Sequence, residues 1–160
     1  MLFRSTTAQG VTSIVIASSM VLAPFAGNFV DRLGRRATLM IVGSLLMVPA
    51  HLLMGLTHLS PVLPMIVLGA AFVLVPACIW PSVPLIVDAR CVGTAFGLMT
   101  AVQNMGLGAF PYANGALRDA THGYTASQVM FAALGFCGLI FSLLLLRADR
   151  REGGRLERAK

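Results

Sequence analysis

Gln103 and Asn104 stand side by side in a long apolar stretch. A side-chain amide left unpartnered in such a setting costs on the order of several kcal/mol, so both must face protein or water. Hydrogen bonding to a polar solute in a cavity is one use for them, and bonding between helices is the other. Trp80, the single tryptophan, stands among Pro76, Pro81 and Pro84. Prolines interrupt the helical hydrogen-bond ladder and let a helix bend, which suits a gate. The indole can then stack on a solute or close one end of a cavity; equally, it can anchor a span near the headgroups. Ser18, Ser19 and Asn114 are weaker candidates, because hydroxyls and helix-end amides pack routinely between helices. His51 is the one histidine inside an apolar stretch, where an imidazole can relay a proton or simply be packed. No Asp or Glu lies in any of these stretches, so the spans supply no carboxylate to carry a coupled proton.

The elements that hold these residues are membrane spans. Of the 160 residues, 57% are hydrophobic and only 11% charged, with a mean hydropathy of +0.83. A soluble domain of this size needs far more charge to keep its surface wet. Five stretches approach the roughly 20 residues that a helix needs to cross a bilayer. They cover about 11–30, 37–56, 62–87, 94–117 and 126–146, and a basic tail over 147–160 follows. All six acids and all twelve bases fall between or beyond them. A charge in hydrocarbon costs roughly 3 kcal/mol on insertion scales, and that penalty accounts for the sorting.

The loops give an orientation. If the tail is inside, so are the loops at 31–36 and 88–93, which hold Arg32, Arg35, Arg36 and Arg90; only Arg4 and Arg118 are then left outside. The positive-inside rule thus predicts an outer (or lumenal) N-terminus and a cytoplasmic C-terminus. A cleaved leader over the first 26 residues would require the three arginines of the next loop to be translocated, which disfavours that reading. The net charge of +6 reflects this sorting and brings no nucleic-acid motif with it. Asp149, Glu152 and Glu157 dilute the bases of the tail, which reads as a plain stop-transfer flank rather than a lipid sensor. Cys78, Cys91 and Cys137 show neither a metal spacing nor a disulfide framework.

Between the first two spans stands Gly27-Asn28-Phe29-Val30-Asp31-Arg32-Leu33-Gly34-Arg35-Arg36. Gly27, near a helix end, would let another helix approach closely. Asp31 can accept from the free amides at the N-terminus of a neighbouring helix. Gly34 gives the backbone freedom that a two-helix turn demands. Arg35 and Arg36 hold the turn on the cytoplasmic side and can pair with acids there. The segment resembles the signature hairpin of the major facilitator superfamily, G-x-x-x-D-R-x-G-R-R. In that family the hairpin follows the second span and recurs after the eighth. Later segments, Ile79-Trp80-Pro81-Ser82-Val83-Pro84, Gly93-Thr94-Ala95-Phe96-Gly97-Leu98-Met99 and Val102-Gln103-Asn104-Met105-Gly106-Leu107-Gly108, look like the tenth and eleventh spans of its lysosomal dipeptide-transporter branch in animals. Gly115 precedes Asp119 as Gly27 precedes Asp31, a weak echo of the inverted repeats of such carriers.

The resemblance implies an all-α membrane protein whose five helices make up most of the C-terminal six-helix half of a facilitator fold. It implies alternating-access transport of a small solute, with dipeptides as the substrate class of the branch. It also puts Trp80 on a cavity-lining span, with Ser18, Gln103, Asn104 and Asn114 on spans that flank the cavity. His51 falls on a peripheral span, which favours a packed histidine. The glycines Gly93, Gly97, Gly106 and Gly108 would serve close helix packing. The implied partners are the lipid bilayer, the solute, and a missing N-terminal half or another subunit. A lysosomal or vacuolar membrane, or a plasma membrane, would hold it, depending on host. The alternative is a standalone half that assembles with a partner and transports nothing itself. No nucleophile–base arrangement, phosphate loop or metal cluster supports an enzyme, and no cofactor is expected.

Overall fold

The computed structural model describes residues 20, 23–57, 60 and 62–158, all helix or turn. The described part of helix α1 covers 23–33. It is followed by α2 (Arg36–Leu56), α3 (Val62–Ile86), α4 (Val92–Thr121) and α5 (Thr125–Arg151). The α1–α2 turn is two residues long. Gly34 (φ 64°) and Arg35 (φ 44°) both take the left-handed conformation, and the Gly34 amide donates to the Val30 carbonyl to end α1. Glycine takes this conformation freely, whereas arginine does so only under local constraint.

Among the described residues, three helices are long and apolar enough to cross a membrane: α2, α3 and α5. α4 is longer still, but Gln103, Asn104 and its glycines and threonines dilute it. Such a helix gains less from lipid and more from a wet or protein-lined face. α5 runs past the expected edge at 146 as far as Arg151.

α2 and α5 pack antiparallel through small residues. Cβ atoms built at Gly135 and Gly138 would lie 3.3 Å from Met47 and Val48 and 3.4 Å from Ser44. Ser44 and Ser142 meet across this seam at 3.5 Å. α2 meets α3 most closely where Gly43 faces Val75. These contacts follow from membrane physics: apolar side chains gain nothing from leaving lipid for one another, so close backbone approach and van der Waals packing must hold the helices together. The apolar core lies toward the hairpin end, where Val30, Leu39, Met40 and Cys78 are buried with Leu74, Ala77 and Leu145 packed on them. α4 buries none of its residues.

Gly27 has no helix against it among the described residues. A Cβ there would meet open space, as it would at Gly93, Gly97 and Gly108, and at Gly106 it would meet only Phe110 of the same helix. Gly43, Gly55, Gly135 and Gly138 are in close helix contact. The spacing of glycines along a sequence does not say which helix face has a neighbour.

Candidate functional site

α3 is continuous helix across all three of its prolines. Each proline lacks an amide proton, so the carbonyls of Phe72, Ala77 and Trp80 lose their usual helical donors. Ser82 donates to the Cys78 carbonyl at 2.6 Å within the same stretch. Trp80 projects beside α4 and stacks on Phe96, with ring centroids 5.7 Å apart and planes inclined by 19°. A cleft of about 510 Å³ opens next to this pair. α3 contributes Val75, Pro76, Ile79 and Trp80 to its wall, and α4 contributes Leu98, Met99, Val102 and Gln103. Both sets recur at helical spacing, so each helix turns a single face to the cleft. Its lining is apolar apart from the indole N–H and the Gln103 amide. It can therefore take an apolar or aromatic group and offer a few hydrogen bonds beside it.

Trp80 also borders a second cleft, of about 550 Å³, between α1 and α3, where Gly27 forms part of the opposite wall. Gly27 thus lines a groove among the described residues. The structure brings Trp80 and Gln103 to one cleft and leaves the other candidates apart. Asn104 is exposed, one residue along α4 and outside the cleft lining. Asn114 lies further along α4, with its Oδ1 shielded and without a hydrogen-bond partner among the described residues. Ser18 and Ser19 lie outside the described residues.

His51 is packed. It pairs with Gln128 Oε1 at 2.7 Å through Nδ1, which must be the donor because an amide oxygen only accepts. Its ring stacks on Phe131 at 5.4 Å and is 8% exposed. The partner residue Gln128 gave no signal in the sequence, since it stands 77 positions away.

The signature hairpin carries an ion pair of the expected kind, between Arg36 and an acid. Asp31 accepts from Arg36 Nη2 at 2.7 Å, an ion pair across the turn. Arg36 is 2% exposed despite its charge, whereas Arg32 and Arg35 are exposed. The free amides at the start of α2 are taken by the C-terminal tail. The Arg36 amide donates to the Leu156 carbonyl at 2.8 Å. The Thr38 amide and hydroxyl donate to the two carboxylate oxygens of Glu157 at 2.9 and 2.8 Å. The tail is itself fixed on α5, where Asp149, 5% exposed, accepts from the Leu156 amide at 2.9 Å. Glu157 thus supplies a carboxylate at the N-terminus of α2. A carboxylate there satisfies orphan donors and faces the positive end of the helix dipole.

Among the described residues no cluster of His, Cys, Asp and Glu could hold a metal ion. Residues 3–160 match the family model of the Major Facilitator Superfamily. The chain is 30% identical over 154 residues to the lysosomal dipeptide transporter MFSD1 of Gallus gallus, covering 96% of this chain and 35% of that protein. To the Homo sapiens protein of the same name it is 29% identical over 154 residues, covering 96% of this chain and 33% of the relative. To that of Danio rerio it is 30% identical over 153 residues, covering 95% and 33%. The chain spans about a third of the length of these curated relatives. A chain whose described elements are all helices, with membrane-length apolar helices, the signature hairpin and a family match over nearly its whole length, belongs to the Major Facilitator Superfamily, in the C-terminal half of that fold.

Proposed function

We propose that the chain forms most of the C-terminal half of a carrier that moves a small solute across a membrane by alternating access. Dipeptides are the substrate class. The observation that carries this reading is the α3–α4 cleft, where one aromatic face and one amide meet in an apolar wall. A dipeptide offers side chains for such a wall and a peptide group for an amide. Its charged ends need partners that the apolar stretches of this chain lack, having no Asp, Glu, Lys or Arg. Those partners belong to the other half of the cavity, supplied by preceding sequence or by another subunit. The relatives are transporters by name, which favours transport over a half that serves assembly alone. Loop charge supports an N-terminus outside or lumenal and a C-terminus in the cytoplasm. The relatives' name supports a lysosomal membrane in an animal-like host.

The test is uptake of a labelled dipeptide into proteoliposomes, by the chain alone and by the chain with the sequence that precedes it restored. Uptake in the restored form should fall at least tenfold in Trp80→Ala and less in Trp80→Phe, which keeps an aromatic face. Gln103→Leu should raise KM. Uptake that is insensitive to both positions would remove the cleft from the pathway.

A further inference from the structure

Read as a string, the tail mixes acids with bases and resembles a diluted flank. In the folded molecule the two signs separate. Asp149 is turned inward, 5% exposed, and accepts from the Leu156 amide. Glu157 is turned onto Thr38 at the start of α2. Leu156, fully buried, pins the segment between them. The arginines go the other way. Arg147, Arg150 and Arg151 are exposed, and their i, i+3 and i+4 spacing puts them on one face of α5, with Asp149 turned away from Arg147 and Arg151. Arg155 and Arg158 are exposed on the folded tail, and Arg158 donates to the Gly153 carbonyl at 2.8 Å. Arg35, which precedes the Arg36 amide that meets the Leu156 carbonyl, is exposed as well. The acids left outside at this end are Glu152, Asp88 beside Arg90, and Asp31, which Arg36 already holds.

We propose that the end of α5 and the folded tail form a docking surface for the headgroups of anionic phospholipids. The depth fits this occupant. α5 has 27 residues and is thus about 40 Å long at the rise of an α-helix, against a hydrocarbon core of about 30 Å. Arg147 follows directly on the apolar run Leu143-Leu144-Leu145-Leu146, so the arginines begin at headgroup depth. Guanidinium groups pair with phosphate oxygens bidentately, and each base at an anionic surface strengthens attachment about fivefold. The inference rests on the membrane reading of α5. The orientation proposed above makes the lipid one of the cytoplasmic leaflet.

The experiment is native mass spectrometry of the full chain, extracted from bilayers of equal phosphatidylglycerol and phosphatidylcholine, counting the lipids that remain bound. The native chain should retain phosphatidylglycerol in preference. Arg150→Gln/Arg151→Gln/Arg155→Gln should lose that preference by tenfold or more, while Glu152→Gln, which removes an outward acid, should strengthen it. Glu157→Gln separates a folded surface from mere charge count. It raises the net charge by one, yet by loosening the tail it should weaken retention. Equal retention of the two lipids, an unchanged preference in the triple variant, or stronger retention in Glu157→Gln would each overturn the proposal. So would complete displacement of phosphatidylglycerol by millimolar inorganic phosphate, which would make the site one for free anions. The arginines are exposed, so the triple variant should fold; if it does not, Glu152→Gln decides alone. Failed dipeptide uptake with intact lipid preference would count against the transport reading and leave this one standing.

Discussion

Gly43 on α2 faces Val75 on α3 so closely that a Cβ added there would fall 2.5 Å from Val75 Cγ2. Ordinary carbon–carbon contact is about 3.5–4.0 Å, so Gly43→Ala must recover about 1 Å or more. Val75 is β-branched and stiff at χ1, and cannot simply swing aside. α2 cannot shift freely either, because Ser44, Met47 and Val48 rest on α5 at Gly135 and Gly138. Overpacking of this kind costs about 1–3 kcal/mol. At roughly 2–4 °C per kcal/mol for a chain of this length, the unfolding midpoint should drop by about 2–12 °C. The assay is thermal unfolding in detergent, followed by labelling of the buried Cys78 with a thiol-reactive dye after Cys91 and Cys137 have been replaced by alanine. Gly43→Ala/Val75→Ala should recover most of the loss, since the second change removes the methyl that clashes. An unchanged midpoint in Gly43→Ala would refute the close approach. A drop that Val75→Ala does not relieve would show that the clash lies elsewhere.

Glu157→Ala removes both bonds to Thr38 and should cost about 1–2 kcal/mol, as losing a helix cap does; limited trypsin digestion should then cut after Arg155 several-fold faster, and an unchanged rate would mean that the tail is not held by this contact. His51→Ala strips Gln128 of its partner and Phe131 of its stack, and should destabilise by about 1–3 kcal/mol while leaving uptake per folded carrier intact. Complete loss of uptake in a well-folded His51 variant would instead point to proton handling at this ring. Phe96→Ala should loosen Trp80 and raise KM for dipeptide more than it lowers kcat, measured in the same proteoliposomes; no change in either constant would separate the stacked pair from the solute path.

The spans and the hairpin were legible in the sequence because lipid acts on each segment separately. An apolar run of about 20 residues is stable in hydrocarbon as a helix whatever its neighbours, since its backbone hydrogen bonds close within it. The same holds for the turn at Gly34, whose positive φ is a local property. The Asp31–Arg36 pair joins residues five positions apart and likewise needs no distant partner. The cleft was legible only in part. Trp80 and Gln103 could be singled out by residue type, but their meeting depends on how α3 lies against α4.

Tertiary structure decided everything that depends on register between helices. Gly27 and Gly135 are alike as letters, yet one lines an open groove and the other sits against Met47 and Val48. Whether a glycine is a contact depends on which face meets a neighbour, and that is a property of the pair. The tail shows the same division most sharply. Its composition of acids and arginines is plain in the sequence, but Glu157 finds Thr38 across 119 positions only because α2 and α5 run side by side. The sequence by itself determined that this end is charged and lies outside the hydrocarbon. Only the packing of α5 on the hairpin turned Asp149 and Glu157 toward the protein and left the arginines out, because orphan amides at the start of α2 donate to a carboxylate and have no use for a guanidinium.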